Sequence, residues 1–279
     1  GLISLPIMLR HGYDRRVASG VIAASGTLAQ IIPPSLVLIV LADQLGQSVG
    51  ALYQGALVPA LTLTGLYVVY VAVISVVKPQ WVPAMPASAR TLREDPQAST
   101  GRSQVALFWR VGCALVPPLA LIFLVLGTIF LGVATPTEGG AMGAVGALVM
   151  AIVRGRLDMS LLRQAMQSTA RLSCFVLFIL IGSTVFSLSF QAVDGPKWVE
   201  HLLTALPGGV LGFLIVVNLL VFLLAFFLDF FELAFIVVPL LAPVATALGI
   251  DLVWFGVLLA VNMQTSFMHP PFGFALFYL

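Results

Sequence analysis

Eight apolar stretches follow one another along this chain, at 17–42, 51–77, 105–133, 139–153, 172–190, 208–228, 233–248 and 252–279. Crossing the hydrocarbon core of a bilayer takes about 20 residues of helix. Succession of this kind leaves few folds open. Only 9% of the residues are charged and 60% are apolar, whereas roughly a quarter are charged in ordinary soluble domains. So few charges do not cover a water-facing surface, and lipid takes the place of that surface. The predicted fold class is an all-α polytopic membrane protein. A net charge of +2 is too small to indicate a nucleic-acid partner. Cys113 and Cys174 both lie in apolar runs, which implies neither a disulfide framework nor a metal site.

The connections set the orientation. Residues 78–104 carry Pro79, Pro83, Pro86 and Pro96 among Ser, Thr and mixed charges, the composition of a solvated loop. Residues 154–171 read as a basic turn (Arg154, Arg156) followed by an interfacial helix with Arg163 and Arg171. Residues 191–207, with Gly195-Pro196, Trp198 and Pro207, read as an amphipathic connector at the membrane surface. Of 13 Lys and Arg, only Lys197 lies outside 10–16, 78–110 and 154–171. The excess of positive charge in cytoplasmic loops places those three regions inside, and the spans then alternate consistently.

Sliding the sequence by 237 residues brings Pro6 onto Pro243, Gly12 onto Gly249 and Asp14 onto Asp251. Ala23 then meets Ala260, and Pro33-Pro34 meets Pro270-Pro271. The Gly-x-Asp turn of the first copy falls inside and that of the second outside. One pattern in two orientations predicts an inverted-topology repeat, an architecture of secondary transporters. Proline lacks the helical N–H and pushes the preceding residue out of α geometry. Each Pro pair therefore predicts a break into half-helices, the second halves starting near Ser35 and Phe272. Backbone freed in a membrane persists only where protein or trapped water covers it.

Polar residues flank both predicted breaks. Ser25, Gly26, Thr27 and Gln30 precede the first; Asn262, Gln264, Thr265, Ser266 and His269 precede the second. Of these, Ser25, Gly26, Thr27, Asn262, Gln264 and His269 form a candidate substrate site with Pro33, Pro34, Ser35, Pro270 and Pro271, and Thr27, Thr265 and Ser266 are sodium candidates. Taken singly, each Ser or Thr serves equally well as interhelical glue. Asp229 and Glu232 stand three apart in an apolar run from 208 to 248. There they are either a short cytoplasmic loop or the buried tip of a re-entrant hairpin. The shortness of 233–248 and its Pro239 and Pro243 favour the tip, with both acids as substrate candidates and Asp229 as a sodium candidate. Thr135-Pro136-Thr137-Glu138 has the pattern of a capping box, and Asp14 and Asp251 are placed to cap the helices that follow them. No G-x-x-x-x-G-K-S/T, H-E-x-x-H or G-x-S-x-G pattern occurs, so a secondary transporter is expected rather than an enzyme.

The segments GYDRRVASGVIAASGTLAQIIPPS (12–35), ATPTEGGAMGAV (134–145), FLDFFELAFIVVPLLAPV (227–244) and TSFMHPPFGFALFYL (265–279) resemble the large membrane subunit of tripartite ATP-independent periplasmic (TRAP) transporters. The second and fourth segments look most like the mannitol/chloroaromatic branch. The resemblance implies an elevator-type permease of the bacterial inner membrane. Its partners would be a periplasmic substrate-binding protein and a small membrane subunit. It would need no cofactor, would use sodium as coupling ion, and would take up carboxylates. Residues 1–50 and 191–279 would then belong to the transport domain and 51–190 to scaffold-type spans. His269 stands where the family usually has Thr, and the family's first hairpin tip is absent. With Gly1 in place of an initiator Met, the chain is expected to be an internal piece of a longer protein. A carrier working without a binding protein, or an ion channel, would share the same composition.

Overall fold

The structure is a computed structural model that describes residues 4–84, 101–270 and 273, with backbone alone at 101–108, 110, 111 and 114. The described elements are helical, and no strand occurs among the described residues. In chain order they are α1 (Ser4–Arg10), α2 (Arg15–Thr27), α3 (Leu36–Gln44), α4 (Val49–Val77), α5 (Gly101–Phe130) and α6 (Pro136–Val153). Then follow α7 (Met159–Ala192), α8 (Gly195–Thr204), α9 (Gly209–Leu224), α10 (Phe230–Ala247) and α11 (Leu252–Met263). Short 3-10 turns continue α2 at Leu28–Gln30 and α11 at Gln264–Phe267. Among the described residues four helices, α4, α6, α7 and α10, are long and apolar enough to cross a membrane. The protein is a multi-pass membrane protein.

The chain divides into two compact units. One comprises Ile3–Ala18 and Tyr70–Met159. Within it α5 and α6 pack side by side. Gly139 and Gly146 of α6 face Ile129 and Leu121 of α5, the small-residue contact by which membrane helices approach. Thr135 caps α6 with its hydroxyl on the Glu138 N–H at 3.3 Å, and Glu138 returns to the Thr135 N–H at 2.7 Å. Asp14 accepts from the N–H groups of Arg16 and Val17 at the start of α2. Pro117-Pro118 lies inside α5, yet the helix continues through the pair. The missing N–H of Pro117 frees the carbonyl four residues earlier, at Cys113. Arg154 Nη2 donates to that carbonyl at 2.6 Å and supplies a replacement partner.

The second unit comprises Ser19–Val69 and Ser160–Leu279, with Gly1–Leu2. Its core forms where α3, the start of α4, α9, α10 and α11 bury their apolar faces. Phe213, Val217 and Val221 make an i, i+4, i+8 stripe on α9, and Phe255, Leu259 and Met263 continue the core on α11. Half of α10 is buried, against 6% of the most apolar stretch of α4, α6 and α7. α10 is therefore half covered by protein, whereas those three leave their apolar stretches exposed. In the segment read at 154–171 as a basic turn and an interfacial helix, the helix does not end at 171: α7 runs unbroken from Met159 for 34 residues, roughly 50 Å at 1.5 Å per residue. Nothing between Met159 and Ile181 is Gly or Pro, so the backbone has no local reason to stop. Residues 85–100 of the loop expected at 78–104 lie outside the described residues.

Close packing at Gly256 is what lets α11 reach the core. A Cβ there would stand 2.6 Å from Leu45 Cδ1 and 3.4 Å from Leu52 Cδ2, both on buried residues. Gly256→Leu is expected to destabilise the full-length protein by about 1–3 kcal/mol, the usual cost of overpacking, with Gly256→Ala costing less. Thermal unfolding in detergent measures it, and an unchanged midpoint for Gly256→Leu would contradict the packing.

Candidate functional site

The site is built by the two chain segments that stop being α-helical in mid-course. In the first, α2 ends at Thr27, a 3-10 turn follows, and the chain bends through Ile31–Pro34 before α3 begins. The Pro33–Pro34 peptide is cis. Ser35 is the N-cap of α3: its hydroxyl accepts from Leu38 N at 3.2 Å and donates to the Gln30 carbonyl. Tyr53, buried on α4, donates to the Ser35 carbonyl at 3.4 Å. In the second segment α11 passes into the 3-10 turn 264–267 and a bend at Met268–Pro270. Pro271 and Phe272 lie outside the described residues, so the start of a following half-helix is not described.

The two segments touch through Thr27 and Gln264. Gln264 Nε2 donates to Thr27 Oγ1 at 2.8 Å, with both residues 2% exposed. Thr27 Oγ1 donates to the Ala24 carbonyl at 2.9 Å and lies 3.9 Å from Met268 Sδ. Tyr67 of α4 approaches the same Gln264 amide. An unmade bond here would be costly, because a buried polar group without a partner costs about 1–3 kcal/mol. The contact fixes one break against the other.

Four hydroxyls around the breaks bond in one way. Ser25 donates to Ile22 O, Thr27 to Ala24 O, Thr265 to Asn262 O and Ser266 to Met263 O, all at 2.7–3.1 Å. With each hydrogen spent on a carbonyl three residues back, what the oxygens offer is lone pairs, the groups a hard cation takes. Thr27 and Ser266 are buried, Thr265 half-buried and Ser25 exposed. Gly26 is exposed with open space around it. Asn262 is occupied: its Nδ2 donates to Asn218 O at 2.7 Å and Asn218 Oδ1 at 3.0 Å, and Asn218 Nδ2 donates to Leu214 O. This amide ties α11 to α9, and a lone Asn in an apolar stretch gave no sign of it.

Asp229 and Glu232 are not the turn of the hairpin but the first turn of α10. The turn itself is 225–228. Asp229 Oδ1 accepts from Glu232 N at 3.0 Å and Glu232 Oε2 accepts from Asp229 N at 3.2 Å. This reciprocal capping satisfies two of the four N–H groups that a helix start leaves open. Asp229 is 7% exposed, a burial at odds with a solvated surface loop, and Glu232 is half-buried. Behind this start, Leu233–Val237 is π-helical, a local widening frequent at functional sites. Asp251 likewise caps α11, accepting from Trp254 N at 2.7 Å.

His269 packs into aromatic side chains of α9 and the turn after it. Its ring stacks on Phe226 at 4.1 Å and 12°, and meets Phe222 edge-on at 4.9 Å and 86°. Neither phenylalanine stood out in an apolar run. No group of three His, Cys, Asp or Glu placed to hold a metal ion occurs among the described residues.

Helices interrupted inside a buried core, with polar groups gathered at the interruptions, are an arrangement that membrane transporters use. Over residues 1–279 the chain matches the family described as tripartite ATP-independent periplasmic transporter, DctM component, and it belongs to that family. The family is one of transporters, not of enzymes. The chain is 30% identical to the C4-dicarboxylate TRAP transporter large permease protein DctM of Pseudomonas aeruginosa, over 99% of this chain and 61% of that protein. It is 31% identical to the protein of the same description in Rhodobacter capsulatus, over 99% of this chain and 62% of that one. Similarity to the sialic acid TRAP transporter large permease protein SiaM of Vibrio cholerae is 27%, over 99% and 61%. The chain thus spans about three fifths of the length of these curated relatives.

Proposed function

We propose that this chain is the greater part of the large permease subunit of a sodium-coupled secondary transporter. It would import small organic acids, carboxylates, across the bacterial inner membrane. A periplasmic binding protein would deliver the substrate, and a small membrane subunit would complete the permease. Relatives described as C4-dicarboxylate permeases support the substrate class. The mannitol/chloroaromatic branch is a finer assignment, supported by the segments at 134–145 and 265–279.

One observation carries the mechanism: the bond between Thr27 and Gln264, residues 237 apart in sequence. That spacing is the offset at which the two halves align. α2 starts at Arg15 and α11 at Leu252, the same distance apart, each after an aspartate cap. Residues related by a twofold axis meet each other only on the axis. A contact between equivalent positions is therefore what an inverted repeat with its axis through the two breaks would give. On this reading the site lies on that axis. Half-helix N–H groups at Ser35 would face the substrate's carboxylate, and lone pairs of Thr27, Thr265 and Ser266 would face sodium. Asp229, at the start of α10, would close the site or hold the ion. An elevator movement of the broken helices and the α9–α10 hairpin would carry substrate and ion together.

Replacing sodium by choline should abolish uptake by the full-length complex in proteoliposomes at every imposed proton gradient. Uptake that persists in choline would remove sodium coupling from the proposal.

A further inference from the structure

A cavity lies at the end of the α5–α6 pair that the charge pattern places inside the cell, apart from the two breaks. Pro118 of α5 lines it with Met150, Ala151, Arg154 and Arg156 at the end of α6, and its volume is about 440 Å³. That is room for many waters at about 30 Å³ each, and it falls within the size of ligand pockets, about 300–1,000 Å³. The lining brings two guanidinium groups and no acid.

Backbone contacts hold both arginines. Arg154 donates from Nη2 to the Cys113 carbonyl at 2.6 Å, which leaves most of its guanidinium N–H groups unspent. Gly155 turns the chain at a φ of 60°, and Arg156 N returns to the Ala151 carbonyl at 2.9 Å. This closing turn brings Arg156 back to the cavity that Arg154 lines. The Arg156 side chain has no hydrogen bond or ion pair among the described residues, and Asp158 pairs with neither arginine. Marking the inner side and complementing the C-terminal end of α6 explain positive charge here. Neither explains a cavity that holds both charges and lacks a carboxylate.

Depth selects the occupant. α6 has 18 residues, roughly 27 Å at 1.5 Å per residue, close to the roughly 30 Å of a hydrocarbon core. Arg154 and Arg156, just past its end, therefore stand at the level of lipid phosphates. Toward the bilayer centre Leu119 and Ile122 of α5 and Val145 and Val149 of α6 are exposed, an apolar surface for acyl chains. Guanidinium groups bind phosphate oxygens in paired, charge-assisted bonds. A zwitterionic headgroup adds an ammonium, for which the lining has no partner.

We propose that this cavity binds the headgroup of an anionic phospholipid of the inner leaflet, with Arg154 and Arg156 donating to its phosphodiester oxygens.

The test uses the full-length permease with its partners, stripped of lipid in detergent. It is titrated with phosphatidylglycerol, phosphatidylethanolamine of the same chains, or inorganic phosphate. Native mass spectrometry counts bound lipids, and thermal unfolding reads stabilisation. Wild type should hold phosphatidylglycerol about tenfold more tightly than phosphatidylethanolamine and unfold at a higher temperature with it. Arg156→Gln should lose one tightly held phosphatidylglycerol, its affinity down about tenfold, and should unfold like wild type without lipid. Ala151→Phe keeps both charges, fills the cavity, and should lose the same lipid. Arg163→Gln, on α7 and outside the lining, should lose none. Equal affinity for the two lipids would overturn the proposal, as would wild-type binding in either Arg156→Gln or Ala151→Phe. An equal loss in Arg163→Gln would overturn it by showing diffuse surface charge. Stabilisation by inorganic phosphate alone, as large as by phosphatidylglycerol, would overturn it in favour of a soluble anion. If Arg156→Gln does not fold, Ala151→Phe decides; failure of both to fold makes this turn structural and overturns the site.

Discussion

Asp229→Asn should fold as well as wild type and transport at least tenfold more slowly. Asn caps a helix about as well as Asp, and the substituted amide oxygen would still accept from the N–H of Glu232, now bonded to Asp229 at 3.0 Å. What the substitution removes is a charge on a residue 7% exposed, to which no ion pair forms among the described residues. Losing a desolvated charge leaves stability equal or improved. Uptake falls because the coupling ion loses a ligand or the hairpin loses the group that closes it. Asp229→Ala separates the two roles, since it deletes the cap as well and should cost about 1 kcal/mol of stability. Glu232→Gln keeps the capping box and should have the smaller effect on uptake. Sodium-dependent uptake and thermal unfolding of both amide variants decide it. Near-normal uptake in Asp229→Asn and Glu232→Gln together would reduce the hairpin start to a structural cap.

Breaking the contact between the two segments should be the second large effect. Gln264→Leu leaves the buried Thr27 hydroxyl without its donor, and the loss is expected to be about 1–3 kcal/mol. Thr27→Val alone should cost a similar amount, because it strands the Gln264 amide. The double variant should cost clearly less than the sum, since removing both partners of a buried bond strands neither. Uptake should be abolished in all three, as each frees one break from the other. Additive losses in a double-mutant cycle, or a double variant that transports normally, would show that the bond does not couple the breaks.

Much of the architecture was legible in the residues. Apolar runs without charge give an all-α membrane protein, because the cost of unpaired backbone in lipid leaves helix as the solution for such runs. The cap patterns at Asp14, Thr135 and Asp251 are local hydrogen-bond geometry, and the structure places each side chain on the expected N–H. The positions of the two interruptions follow from Pro pairs with polar neighbours, but a Pro pair alone does not decide. Pro117-Pro118 stays helical because Arg154, 41 residues from Cys113, takes up a freed carbonyl. At Pro33-Pro34 the chain turns, with Ser35 capping the new helix and Tyr53 holding its carbonyl.

Partnership across the fold is what only tertiary structure decided. Sequence lists Thr27, Gln264 and Asn262 as polar groups; packing joins the first two to each other and the third to Asn218, through side chains distant in the chain. It places Asp229 and Glu232, read as the tip of a hairpin, at the helix start just after the turn. It sets Phe222 and Phe226 around His269, which in an apolar run look like lipid-facing bulk. The physical reason is range. Caps, turns and helical runs are fixed by neighbours within a few residues. Which buried polar group finds a partner, and which is left for a ligand, depends on surfaces that only the folded chain brings together.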